Sequence, residues 1–246
     1  MKSNILLPLY VYPAPGAWDP LYKALDAYPS LNFTAIINPQ SGPGDANWWP
    51  NADYMRELPK LNTYWNVQIV GYVRSTYCQR PINQVFQDIQ AYANRSYDNE
   101  TLQIQGVFVD ETVNQYTPTV KTYLDSIDNM GWKNEGIGGE RLMIHNPGTA
   151  VHKALAEPGP DVTVVSETSY NEFIKKEYQD WLATSPYDRS GTCYMLNSVP
   201  QDKIQDLTKS LRNRAEFLFL TSATSDFYQS FDTASWSNFV AAMAAD

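Results

Sequence analysis

The chain of 246 residues is short of cysteine, histidine and positive charge, and each shortage closes off a class of answers. Its two cysteines, Cys78 and Cys193, cannot make a disulfide scaffold, and they read as free, partly buried thiols near opposite ends of the fold. Eighteen basic residues against 27 acidic ones give a formal charge of −9. A surface built to neutralise phosphates needs the opposite balance, so nucleic acid is not an expected partner. No apolar run approaches the ~20 residues that cross a bilayer. Gly42-Pro43-Gly44 is not followed by the Lys-Ser/Thr of a phosphate loop, and no G-x-S-x-G nucleophile motif occurs. What the chain does have is 43% hydrophobic and 18% charged residues, enough for a buried core. Seventeen tyrosines and seven tryptophans exceed what that core requires, which points some of them at a ligand.

Eight short apolar runs recur along the chain: Ile5–Val11, Phe33–Ile37, Val67–Val73, Gly106–Val109, Arg141–Ile144, Val162–Val165, Cys193–Leu196 and Phe217–Leu220. They are nearly continuous rather than alternating, as strands covered on both faces are. Between them, apolar residues fall at helical spacing, as in Trp18, Leu21, Tyr22 and Leu25, or Ile82, Val85, Phe86 and Ile89 after Pro81. Similar stripes run through Val120–Ile127, Phe173–Tyr178, Ile204–Leu211 and Trp236–Met243. Two units are weaker: Asn51–Leu61 is interrupted by Pro59, and Ala150–Leu155 is short. Alternation at ~31 residues per unit predicts an α/β fold, a closed (β/α)8 TIM barrel spanning residues 1–246 as a single domain.

In such a barrel the chemistry lies at the carboxyl ends of the strands. Asp110 and Glu111 follow run four, and Glu167 follows run six. Glycoside hydrolysis needs such a set: one carboxyl protonates the leaving oxygen while another attacks or activates water. Adjacent residues on a strand point to opposite sides, so at most one of Asp110 and Glu111 partners Glu167 directly. A plainer reading pairs the strand-end acids with Arg74 or with helix ends; three acids on one rim favour catalysis. Tyr12, Asn38, Trp49, Tyr72, His145, Asn146 and Asn197 sit at or beside the same strand ends and are the expected substrate contacts. Trp48 and Trp49 could equally staple their loop to the second helix. No metal or other cofactor is expected; a metal held by His145, Asp110 and Glu167 is the lesser reading.

The ordered motifs resemble the spherulin-4 family, glycoside hydrolase family 135: Leu7-Pro8-Leu9-Tyr10, Ile37-Asn38-Pro39, Gly42-Pro43-Gly44, Gly71-Tyr72-Val73, Gly106 to Glu111, and His145-Asn146-Pro147-Gly148. The likeness runs to Glu167 and thins beyond strand six. It implies a barrel enzyme that cleaves α-1,4-linked N-acetylgalactosamine inside galactosaminogalactan, with Asp110, Glu111 and Glu167 as its essential acids. In this reading Glu167 is the acid/base, Asp110 the nucleophile and Glu111 a supporting acid, although the first two roles could be exchanged. Partly deacetylated galactosaminogalactan is a polycation, which a negatively charged chain would attract at long range.

A secreted or wall-associated monomer is expected. The sequons at Asn32, Asn94 and Asn99, the last two in an expected surface loop, lean towards secretion. The apolar stretch Ile5–Pro8 is too short for a signal peptide. Two rivals remain: a wall or spore-coat lectin that binds polysaccharide without cleaving it, and a metal-dependent deacetylase that releases acetate.

Overall fold

The computed structural model describes residues 3–231 and 233–245. Eight parallel strands close on themselves in chain order: β1 Asn4–Leu9, β2 Phe33–Ile37, β3 Val67–Arg74, β4 Gly106–Asp110, β5 Leu142–His145, β6 Val162–Ser169, β7 Thr192–Asn197 and β8 Phe217–Leu220, which pairs back onto β1. Apolar side chains fill the barrel and the layer between strands and helices, with Leu6, Ile36, Val70, Phe108, Ile144 and Leu218 fully buried. No described helix is long and apolar enough to cross a membrane.

The helices are α1 Asp19–Ala27, α2 Ala52–Leu61, α3 Ile82–Asp98, α4 Pro118–Trp132, α5 Tyr170–Phe173, α6 Lys176–Leu182, α7 Ile204–Leu211 and α8 Thr233–Ala244. Four expectations need correction. Pro59 does not interrupt α2, whose first turn is capped by Asn51 accepting from Asp53 and Tyr54, and whose inner face buries Tyr54, Leu58 and Leu61. The fifth unit has only the 3-10 turn Lys153–Leu155 in place of a helix. The stripe at Phe173–Tyr178 is two short helices, with Ile174 between them 54% exposed. Asn94 likewise lies inside α3 rather than in a loop, while Asn99 caps the turn that follows. Cys78 and Cys193 are both unbridged, the latter wholly buried in β7.

One irregularity positions the site. The pairing of β6 with β7 shifts between Val164 and Ser166, the mark of a β-bulge. Thr163 stands in register with His145, on the outer face of the barrel. Strict alternation from Thr163 would send Glu167 outward too. The bulge reverses the phase: Ser166 meets Tyr178 of α6 at 2.9 Å, and Glu167 turns into the barrel mouth.

Candidate active site

Asn146, immediately after β5, is the hub of the mouth. Its Nδ2 donates to Oδ1 of Asp110 at 2.8 Å and to Oε2 of Glu167 at 2.6 Å. The orientation of this amide follows from its other end, where Oδ1 accepts from the backbone N–H of Gly148 at 3.0 Å. Gly148 adopts φ +66, a left-handed conformation natural to glycine, and its own carbonyl receives the N–H of Glu167 at 3.0 Å. A single turn therefore fixes both the bridging amide and the strand that carries the second acid.

Each carboxyl leans on a tyrosine as well. Tyr72 from β3 donates its hydroxyl to Oδ2 of Asp110 at 2.7 Å, and Tyr228, after β8, donates to Oε1 of Glu167 at 2.6 Å. The Tyr10 ring stands edge-on to both phenols, with centroids 5.7 and 5.5 Å away. Burial, reinforced by the charge of Asp110 on Tyr72 and of Glu167 on Tyr228, holds these two phenols protonated well above the usual tyrosine range. They are donors at any ordinary pH.

Glu167 departs from ordinary carboxylate behaviour. Burial pushes its pKa up, the bonds from Asn146 and Tyr228 pull it part of the way back, and the charge of Asp110 pushes it up again. A carboxyl that keeps its proton can serve as a general acid. The amide of Asn146 can only donate at Oε2, whereas the hydroxyl at Oε1 can donate or accept, so Oε1 is the better place for a proton. Asp110 accepts a donor on each oxygen, which fixes the orientation of its carboxyl in the mouth.

Glu111 stands apart from this network. Its φ of +55 turns the chain away from β4, and its carbonyl accepts from Ser75 Oγ at 2.8 Å and from the N–H of Tyr77 at 2.7 Å. Those bonds anchor the turn Thr76-Tyr77-Cys78, in which all three residues have positive φ. Asp110 is thus the acid that shares Asn146 with Glu167. Arg74 is exposed and, among the described residues, makes no ion pair with either strand-end acid.

Three expected substrate contacts are buried instead. Trp49 is 3% exposed, its ring set against Tyr54 and Tyr92 and its indole N–H bonded to the carbonyl of Ala91, so it fastens its loop to α2 and α3. His145 is buried on the outer face of the barrel, with Nε2 2.8 Å from Oδ1 of Asp128 in α4. It therefore cannot join Asp110 and Glu167 around a metal. Tyr72 is also buried; it supports Asp110 from below and offers no open face to a sugar. Tyr12 keeps an exposed ring at the rim, its hydroxyl donating to Asp53 at 2.7 Å and accepting from Asn51 at 3.0 Å. Asn38 accepts from the N–H of Gly42 at 3.1 Å and shapes the Gly-Pro-Gly loop, and Asn197 accepts from the hydroxyl of Ser198. Sequence reasoning missed Tyr228 because no regular element announces it; the aromatic cluster Phe227-Tyr228 after run eight was the only available sign.

Residues 4–243 match the model of spherulation-specific family 4. Spherulin-4 of Physarum polycephalum is 29% identical over 198 residues, which is 80% of this chain and 54% of that protein, so the chain spans about half the length of this curated relative. The crystal structure of Aspergillus clavatus Sph3 in complex with GalNAc superposes with a TM-score of 0.93 at 37% identity, covering 99% of this chain and 98% of that one. A Bacteroides ovatus GH5 xyloglucanase in complex with a XXXG heptasaccharide, 9% identical with a TM-score of 0.50, covers all of this chain and 75% of its own, and shares the barrel alone.

Proposed function

Because the chain belongs to spherulation-specific family 4, we propose that it is a glycoside hydrolase acting within chains of α-1,4-linked N-acetylgalactosamine. The observation that carries this reading is the single amide of Asn146 bonded to both Asp110 and Glu167. These two oxygens, 2.8 and 2.6 Å from one nitrogen, are no more than about 5.4 Å apart, and such a close approach favours a retaining over an inverting mechanism. Glu167, buried and inclined to hold its proton, gives that proton to the leaving oxygen. Asp110, held between two donors, attacks the anomeric carbon, and the resulting glycosyl-enzyme is hydrolysed by water activated by Glu167. Glu111 supports the site through the field at its edge and the turn it anchors. The GalNAc bound to Sph3, a relative alike over almost the whole chain, supports the choice of sugar. The negative charge suits a polymer carrying free amines, and the sequons suit a secreted or wall-associated protein.

The test is product analysis on purified α-1,4-linked N-acetylgalactosamine polymer. Oligosaccharides should appear with retained anomeric configuration, and Asp110→Asn and Glu167→Gln should each abolish them while the circular dichroism spectrum stays unchanged. Acetate release without chain cleavage, or polymer binding without products, would overturn the hydrolase reading.

A further inference from the structure

At the amino ends of β1, β2 and β3, remote from the acids, lies a cleft of about 210 Å³ lined by Asn4, Asn32, Thr34, Trp65, Asn66 and Gln68. Trp65 is 75% exposed, the most open of the large hydrophobic side chains described. An indole standing in water forgoes a large area of burial, and its flat face is available for contact. The walls around it are preformed. Asn66 is buried, and its amide donates to the carbonyls of Leu25, Tyr28 and Leu31 at 3.3, 3.4 and 3.3 Å, tying the loop before β2 to the loop before β3. The N–H of Phe33 closes the same corner on the Asn66 carbonyl at 2.9 Å. Gln68 uses its amide N–H on Thr34 at 2.8 Å, and the amide of Asn32 makes no side-chain bond among the described residues. No charged side chain lines the cleft.

One flat indole ringed by neutral amides matches a pyranose, whose C–H face packs on an aromatic ring while its hydroxyls and acetamido groups bond to amides. We propose that the Trp65 cleft is a second carbohydrate-binding site, holding neutral hexosamine rings roughly one strand length, ~17–20 Å, from the catalytic mouth. The site does not depend on hydrolysis, since a purely binding protein would use it in the same way. The sugar has two sources: a stretch of the polysaccharide, or a glycan on Asn32, which lines the cleft and heads Asn32-Phe33-Thr34.

The experiment is native electrophoresis through gels containing α-1,4-linked N-acetylgalactosamine polymer. It compares Glu167→Gln with the double variant Glu167→Gln/Trp65→Ala, both made in bacteria and so free of N-glycan. Loss of Trp65 should weaken retardation at least ~5-fold, while Trp65→Ala alone keeps kcat/KM on short oligosaccharides within roughly twofold. The second arm makes wild type and Trp65→Ala in a secretory eukaryotic host. If the glycan is the occupant, polymer retardation ignores Trp65, and Trp65→Ala lowers Tm in the glycosylated protein alone. Unchanged retardation together with an unchanged glycosylated Tm overturns the proposal. Retardation that depends on Trp65, together with a wild-type chain that never cleaves the polymer, overturns the hydrolase reading and leaves this one intact.

Discussion

Tyr228 donates its hydroxyl to Glu167 at 2.6 Å, joining a loop after the last strand to an acid 61 positions earlier in the chain. The contact favours the ionised form of a carboxyl that burial pushes the other way. Tyr228→Phe removes the donor, so the Glu167 pKa should rise further. An acid that must be protonated then stays active to higher pH, and the alkaline limb of the kcat/KM profile should move upward. We expect kcat to fall about 10- to 100-fold, with KM nearly constant. A lower rate with an unmoved profile would reduce Tyr228 to a packing role.

Asn146→Ala should lower kcat by about 10²–10³-fold, because both acids lose a donor at once. Asn146→Asp sets a third carboxyl between them and should be no better. Near-normal turnover by Asn146→Ala, measured as reducing ends per folded molecule, would show that the bridge does not organise the chemistry.

Glu167 also predicts a trade of stability against activity. Its folded pKa lies above the unfolded value, so at a pH between the two the native state holds a proton that the unfolded chain has released. Its contribution is complete below the unfolded value and is lost as pH rises through the folded one. Glu167→Gln should therefore melt higher than wild type at pH 7, by about 2 °C, with the gap closing as pH falls below the ordinary glutamate range. Scanning calorimetry across that range is the measurement, and an equal or lower Tm at pH 7 would contradict it.

His145→Gln and Asp128→Asn each disturb two polar groups buried side by side, Nε2 and Oδ1 being 2.8 Å apart without the alignment of a hydrogen bond. Leaving a buried polar group unpaired costs about 1–3 kcal/mol, enough to lower Tm by roughly 5 °C in a chain of this size. The surviving folded enzyme should keep its KM, since His145 faces α4 and not the sugar. A raised KM without loss of stability would return His145 to the substrate.

Much of this was legible in the sequence because a buried parallel strand has few other ways to read. The eight apolar runs and the acids just beyond them located the barrel and its active rim. Side-chain direction was less legible. His145 and Asn146 are neighbours with similar prospects in a motif, yet one faces the helix layer and the other the mouth, a distinction set by the strand's pleat. Trp49 read as a sugar platform because aromatic exposure depends on how a loop folds back, here onto Tyr54 and Tyr92. Pro59 looked like a break, but burial of Tyr54, Leu58 and Leu61 outweighs its local cost. Tyr228 belongs to an irregular loop, where periodicity carries no signal.

The irregular pairing between Val164 and Ser166 gives this protein an unusual kind of vulnerability. Replacing Val165 by another aliphatic would be a minor repacking, and deleting it would leave Ser166 and Glu167 opposite Tyr194 and Met195 in unbroken alternation. Adding one residue at the same place would instead turn the hydroxyl of Ser166 towards Asn146 and press the acid into the layer occupied by Tyr178. Within this segment the strand can shorten by one residue and keep its acid in the mouth, but it cannot lengthen by one.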